Sequence, residues 1–416
     1  MRRVNMFTIA AATAAAVVAG LSVPTAGQAQ GNVTAFEGAR IIVGDGSPAI
    51  EKGTIVVTGP NITAVGANVQ VPAGAMRVNL AGKTVMPMIL DTHIHAPKTA
   101  EQMIRDMKRR VYWGVGAGMS MGTDTTDDVF KVRDQTKNMP GTARLLTAGR
   151  GITGVEKGRE QNAYWVANEM EARKAVQDNA KKRPDIIKIW VDDRDNTVPK
   201  LTPAQYAAII DEAHKQNVRV TAHIFDLEDG KGLLKANVDA FAHSVRDRDV
   251  DEEFMTLARA KPNLVVNPNL PAMGKRWDTT WLQGKIPAEE YADVQKGAVD
   301  NAKQAEAFGI QSRNLKRLSD ANVRIVLGTD GNTPWAPHQE MESMAASGMT
   351  PMQVITAATG RAAEFLRFTD TGTLQAGKSA DLLILDANPL DNITNTRRIN
   401  AVYHRGQMVN RSAYPN

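Results

Sequence analysis

Two histidines placed two residues apart, His93 and His95, close an apolar run of the sequence. If this run is a β-strand, alternate side chains face the same way, so Asp91, His93 and His95 share one face. Thr92 and Ile94 then point to the other face. Two imidazoles at a strand end can chelate one metal ion, and zinc binds neutral imidazole at about 2.0–2.1 Å. A His-x-His pair alone is also compatible with ordinary surface or core histidines.

Further residues of metal-ligand type fall at the ends of other candidate strands. Lys188 lies inside an apolar run, His223 and His243 close two more, and Asp330 follows another. Four of the seven histidines therefore occupy strand ends, which favours a metal site over chance placement. Taken singly, each residue has a plain alternative: Lys188 as a strand-end lysine reaching solvent, the histidines as satisfied core residues, and Asp330 as a helix N-cap.

The elements that must position these residues alternate between strand and helix patterns. Besides the strand that ends at His95, candidate strands cover residues 114–119, 144–148, 186–191, 218–224, 240–243, 264–267 and 324–328. Helical patterns separate most of them, and Thr202-Pro203 has the composition of a helix start. Eight such units predict an α/β fold, a (β/α)8 TIM barrel, whose active site lies at the carboxyl ends of its strands.

The two chain ends differ from this middle part. Both are rich in short β-type runs separated by turn residues. We therefore predict a small β-sandwich domain built from residues 30–85 and 369–416, and a catalytic barrel domain over residues 86–368.

The first 29 residues have the composition of a signal peptide. Arg2 and Arg3 precede an apolar, alanine-rich stretch over residues 7–23, and small residues surround Ala29. We expect cleavage near Ala29, a periplasmic or secreted protein, and no stable membrane insertion afterwards; an uncleaved anchor is the alternative. The chain has no cysteine, which excludes disulfides and thiolate ligands. Its formal charge is +5, but no basic run with interleaved aromatics indicates nucleic-acid binding.

The ligand pattern resembles the amidohydrolase superfamily, in particular its binuclear-metal members. The pattern is His-x-His after strand one, lysine on strand four, histidine after strands five and six, and aspartate after strand eight. The segments at residues 348–359 and 372–382 are also similar to that family. The nearest branch is the imidazolonepropionase-like hydrolases, which include Xaa-Pro and Xaa-Arg dipeptidases and ochratoxin-type amidases.

The resemblance implies a role for each of these residues. His93, His95 and Asp330 would hold a first metal ion, and His223 and His243 a second. Lys188 would bridge them as an N-carboxylated lysine. It implies two divalent cofactors, expected to be zinc, and hydrolysis of a carbon–nitrogen bond by a metal-bridging hydroxide, with Asp330 moving the proton.

Two departures from the family pattern concern the substrate and the first strand. The family often has glycine between the proline and aspartate of strand one, where this chain has Met88, Ile89 and Leu90. Peptidase-like members tend to carry a histidine after strand three, where this chain has Arg150. The second departure leaves the substrate open.

Candidate substrate contacts are mostly aromatic or cationic. They are Arg150, Trp190, Arg276, Trp277, Trp281, Trp335 and His338. They would suit a small-molecule or dipeptide-like substrate with a bulky group and a carboxylate, cleaved by a dipeptidase or an N-acyl amino acid amidase. Tryptophans that pack helices against the barrel are the alternative. A lactonase or phosphotriesterase on the same site, a non-catalytic periplasmic binding protein and a homo-oligomer also stay open.

Overall fold

The computed structural model describes residues 33–415, so the predicted signal peptide and residues 30–32 lie outside the described residues. None of the helices in this described range has the length and apolar character needed to cross a membrane. The strands are β1 Val33–Ile41, β2 Ile50–Thr58, β3 Asn61–Gly66, β4 Met76–Asn79, β5 Thr84–Pro87, β6 Ile89–Ile94, β7 Val115–Ser120, β8 Arg144–Thr147, β9 Ile152–Thr153, β10 Tyr164–Trp165, β11 Ile187–Val191, β12 Val220–Ile224, β13 Ala240–Phe241, β14 Val265–Val266, β15 Arg324–Ile325, β16 Leu382–Leu385, β17 Ile399–His404 and β18 Gln407–Met408.

Helices separate most strands of the central part. They are α1 Ala100–Tyr112, α2 Asp128–Thr136, α3 Glu169–Ala180, α4 Pro203–Lys215, α5 Leu227–Lys235, α6 Glu252–Arg259, α7 Ala288–Gly297, α8 Ala302–Asp320, α9 Pro337–Ala346, α10 Pro351–Ala358 and α11 Gly360–Phe365. The predicted start of α4 is confirmed: the side chains of Thr202 and Gln205 form a reciprocal capping box, and Pro203 lies in the first turn.

Eight parallel strands form the barrel. β6, β7 and β8 pair in sequence order, and β11 to β15 continue the order in a second parallel sheet. The N–H of Asp185 donates to the carbonyl of Thr147 at 2.9 Å, which joins the two sheets. The N–H of Thr92 donates to the carbonyl of Leu327 at 3.0 Å, which joins the segment after β15 to β6. The predicted (β/α)8 barrel is therefore confirmed.

The strands from the two chain ends pair with one another. In their sheet the order is β18-β17-β16-β5-β1-β2-β3, with β4 also paired to β1. Its buried apolar side chains come from both termini, among them Phe36, Ile55 and Leu382. Both chain ends thus contribute to the sandwich-like sheet that we predicted. β5 crosses the predicted boundary at residues 85 and 86, and the exact domain limits remain a prediction.

The first barrel strand is irregular, and this corrects one prediction. The pairing of β6 with β7 shifts register between Asp91 and Ile94. Asp91 faces the fully buried Arg110 on α1 at 3.1 Å, whereas Thr92 contacts the side chain of Asn267 at 2.7 Å. Asp91 therefore does not share the face of His93 and His95, because the local irregularity breaks the simple alternation of side chains.

Arg110 is the centre of a buried ionic network behind β6. It pairs with Asp91 and, at 2.8 Å, with Asp106, and all three side chains are buried. Asp91 also accepts bonds from the hydroxyl and the N–H of Thr329. The network therefore ties α1 to the ends of the first and last barrel strands, next to His93 and Asp330.

We expect Arg110→Met to lower the free energy of unfolding by about 3–5 kcal/mol, because it leaves two carboxylates without their buried cation. Urea unfolding of the metal-free protein measures this change. Lys131→Met is the matched control, since Lys131 pairs with Asp128 in solvent, and its replacement should change the free energy of unfolding far less. Equal effects of the two variants would contradict the proposed importance of the network.

Candidate metal centre

Six side chains of metal-ligand type converge at the carboxyl ends of the barrel strands. One of these side chains lies on β6 and a second lies just beyond the end of β6. β11 and β12 carry one each, and the segments after β13 and β15 carry the last two. In chain order they are His93, His95, Lys188, His223, His243 and Asp330. The structure therefore brings together all six candidates that the sequence indicated.

The carboxylate of Asp330 lies between three histidines. Its Oδ1 is 3.1 Å from Nε2 of His93 and 2.9 Å from Nε2 of His95, and its Oδ2 is 3.8 Å from Nε2 of His243. Ligand atoms of His93, His243 and Asp330 all lie within 4.8 Å of one another. This donor set of imidazoles and a carboxylate fits a divalent transition metal such as zinc.

Lys188 is a fully enclosed lysine beside this group. It is 1% exposed, and its Nζ lies 3.5 Å from Nε2 of His93. Gly122 leaves room for the Lys188 side chain, because a Cβ there would meet Lys188 Cγ at 2.8 Å. Gly151 leaves room for the neighbouring ring of Trp190, which a Cβ would meet at 2.3 Å. Burial lowers the pKa of Lys188 to about 7, so a substantial fraction of the amine is neutral near neutral pH.

His223 and His243 form the other side of the cluster, with ring centroids 4.6 Å apart. Nε2 of His223 faces the carboxylate of Asp192 at 2.9 Å and the guanidinium of Arg246 at 2.8 Å. Nδ1 of His223 is therefore the ring nitrogen left to bind a metal. An outer carboxylate of this kind commonly orients a ligating imidazole.

The surroundings keep the imidazoles of His93 and His223 neutral and the carboxylate of Asp330 ionised. Burial, followed by the charge of Lys188, lowers the pKa of His93 to about 3, and burial is also the main cause that lowers the pKa of His223 to about 3. Burial alone would raise the pKa of Asp330, but the hydrogen bonds that its carboxylate forms with His93 and His95 hold this pKa well below its usual range. Neutral imidazole and ionised carboxylate are the forms that bind metal.

The backbone at Asp330 is in the left-handed region, with φ of 55°. Non-glycine residues adopt this conformation at an energetic cost, and such positions cluster at functional sites. The alternative role as a helix cap is not what the structure shows. α9 begins at Pro337 with Ala336 as its N-cap, whereas the Asp330 side chain contacts the histidines.

The predicted substrate contacts divide into two groups. Trp190 packs over Lys188, and Arg150 lies over the ring of Tyr164 beside the site. Trp281, Trp335 and His338 instead pack against one another in an aromatic cluster that also contains Trp113 and Arg397.

Within that cluster, His338 is fully buried, with Nε2 facing the carbonyl of Trp113 and Nδ1 facing the hydroxyl of Thr396. Trp277 touches Trp335 but also lines a cavity outside the aromatic cluster. Arg276 is exposed. The structure thus does not bring Trp281, Trp335 and His338 together with the metal-ligand candidates, and roles in substrate binding remain predictions.

Sequence reasoning did not identify Asp192, Arg246 or Glu340. Asp192 directly follows the strand that carries Lys188, so a carboxylate at that strand end was an available signal. Arg246 and Glu340 lie in a loop and a helix, where no local pattern distinguishes them.

The fold and the cluster define a TIM-barrel enzyme with a candidate metal site. A family model described as the amidohydrolase family matches residues 84–409. The chain therefore belongs to the amidohydrolase family and is a hydrolase, as the sequence pattern predicted.

Relatives and solved structures agree with this assignment. Ochratoxinase of Aspergillus niger is 25% identical, with 90% of this chain and 85% of that protein covered. Imidazolonepropionase of Salinispora tropica is 25% identical over 86% of this chain and 89% of that protein. A crystal structure from Bifidobacterium longum, provisionally assigned as a prolidase, matches with a TM-score of 0.75 and 26% identity, covering 92% of this chain and 96% of that one. Together these similarities support hydrolysis of carbon–nitrogen bonds.

Proposed function

We propose that this chain is a metal-dependent hydrolase that cleaves the carbon–nitrogen bond of a small amide or peptide-like substrate. The observation that carries the proposal is the convergence of His93, His243 and Asp330 within 4.8 Å, at the catalytic end of the barrel. The names of the relatives, ochratoxinase and imidazolonepropionase, support a carbon–nitrogen bond rather than an ester or phosphotriester.

The six candidates can hold two divalent ions. In this proposal, His93, His95 and Asp330 would hold one, His223 and His243 would hold the other, and Lys188 would be shared between them. Zinc suits this donor set because it takes imidazole nitrogen and carboxylate oxygen, and the described site contains no soft sulfur ligand.

Lys188 would bridge the two ions as a carbamate. Its neutral amine would add to carbon dioxide. A new N–C bond forms, one C=O double bond becomes a C–O⁻ single bond, and one proton is released to solvent. A lysine with a pKa of about 7 supplies the neutral amine that this step needs. The resulting anion offers the oxygen ligands that an ammonium group cannot.

Divalent ions, when bound, lower the pKa of a coordinated water and polarise the substrate carbonyl. A side chain of the protein must then accept the proton of this water and donate it to the leaving group. Asp330 has a side chain that is 38% exposed, so both the site and the substrate can reach it. Its ionised carboxylate accepts the proton of the attacking water as the C–O bond forms. It then returns this proton to the nitrogen that leaves as the C–N bond breaks.

Removing the metals should abolish hydrolysis, and adding zinc should restore it. Protein purified without chelator should contain two divalent ions per chain by elemental analysis. Magnesium is the matched control, because it prefers oxygen ligands and should not restore activity. A single tightly bound ion, with no gain in activity when zinc is added, would contradict the two-metal proposal.

A further inference from the structure

Glu340 on α9 is a buried acid that the proposed mechanism does not use. It is 6% exposed, and one carboxyl oxygen accepts the N–H of Leu270 at 3.1 Å. Within residues 33–415, it forms no ion pair with a basic side chain. Burial, opposed by the Leu270 bond and supported by the charges of Asp91 and Asp330, raises the pKa of Glu340 to about 8. Such a group is costly to bury, so its missing partner requires an explanation.

Glu340 lines a cavity of about 180 Å³. The cavity lies between α9 and the loop over residues 270–277, and Trp277 and Thr329 contribute to its wall. Thr329 directly precedes Asp330, so the cavity borders the candidate metal centre. A substrate whose scissile bond lies at Asp330 could therefore extend into it.

Asn269 is a second buried polar residue, one position before Leu270, which lines the cavity. It is 8% exposed, its φ is 44°, and neither atom of its side-chain amide has a hydrogen-bond partner in the described chain. It directly precedes Leu270, whose N–H bonds to Glu340. The unmet hydrogen-bonding capacity of Asn269 lies next to this backbone contact, and Glu340 is the polar group of the two that lines the cavity.

The buried part of the wall, around Glu340, favours a cationic nitrogen, whereas Lys275, the one basic residue of the lining, is exposed. A carboxyl group that ionises on binding forms a strong, charge-assisted bond to an ammonium group, and an aromatic ring such as Trp277 attracts a cation further. Glu342 also lines the cavity, but it is already paired with Arg397. Glu340 is therefore the acid of the lining that has no basic partner. An anionic substrate group would meet the negative charge of Asp330 and would find no opposite charge at Glu340.

We propose that Glu340 and the cavity that it lines form a subsite that binds the free amino group of an aminoacyl substrate. This inference rests on the proposed function, because it places the amino group relative to the bond that Asp330 helps to cleave. It selects substrates with an unblocked amino group, such as dipeptides, over N-acylated amino acids.

Calorimetric binding of phenylalaninamide and N-acetylphenylalaninamide to the zinc-loaded protein tests the subsite, since the two probes differ only at the amino group. We expect the free amine to bind about 10- to 100-fold more tightly, as one hydrogen bond to a charged group allows. Glu340→Gln, which can still accept the Leu270 N–H, should remove this preference.

Glu342→Gln is the matched control and should keep the preference, since that acid is already paired. Equal affinity for the two probes, no binding of either, or an unchanged preference in Glu340→Gln would overturn the inference. Hydrolysis of dipeptides is measured separately. If dipeptides are not cleaved while the binding preference persists, the proposed function fails and the amine subsite stands.

Discussion

Lys188→Ala is expected to lower kcat/KM by about 10³-fold or more, because it removes the side chain that would contact both ions in the proposed centre. A metal centre contributes several kcal/mol to transition-state stabilisation, which corresponds to a loss of this size. Metal content should fall from two ions towards one. Steady-state kinetics and elemental analysis on the same preparation measure both effects.

Chemical rescue separates the bridging role from a structural one. The alanine variant leaves space beside His93, where a short carboxylate such as propionate can supply the missing oxygen ligands, with bicarbonate as a second rescuing anion. We expect partial recovery of turnover and of the second ion. Lys231→Ala is the matched control: Lys231 is also buried, but it pairs with Glu228 and Asp251 on the barrel's outer helices. If Lys188→Ala keeps both ions and normal turnover, the bridging role is wrong.

The barrel was predictable because its signals are local. Each parallel strand is buried, so it appears in the sequence as a short apolar run, and helical patterns of different period separate the runs. Residues 220–224 and 187–191, for example, fall within the predicted strands at 218–224 and 186–191. The metal-ligand candidates were predictable for the same reason, since parallel strands end at a common edge of the barrel.

The orientation of Asp91 was not predictable from alternation. The register shift after Asp91 depends on how β6 pairs with β7 and with the segment after β15. These pairings join residues that are far apart in the chain, so no short window of sequence contains them.

The same argument applies to the residues around the cluster. Asp192 matters because it meets His223, and Glu340 because it meets the N–H of Leu270, and both contacts exist only in the folded barrel. The roles of the tryptophans were not predictable for a different reason. Their composition fits a substrate pocket or a packed core equally well, and Trp281 packs in the aromatic cluster.

Asp330→Asn is expected to fold and to lose about 10²- to 10⁴-fold in kcat, the usual contribution of a general acid or base. Asparagine keeps the shape and can still ligate through its oxygen, and it tolerates the left-handed backbone at this position. It cannot accept a proton from the attacking water. Since the lost interaction belongs to the transition state, kcat and kcat/KM should fall together.

The metal content of the Asp330→Asn protein shows whether a loss of kcat comes from a lost metal ion or from a lost proton transfer. Kinetics must therefore be measured on Asp330→Asn protein with quantified zinc, beside Asp381→Asn as the matched control. Asp381 is a buried aspartate away from the barrel site, and its carboxylate accepts bonds from the hydroxyl of Thr371 and from the N–H of Arg405 in the terminal sheet. Nearly normal kcat in Asp330→Asn at full zinc occupancy would leave Asp330 as a ligand only. A large loss at full occupancy, absent from Asp381→Asn, would identify Asp330 as the group that moves the proton.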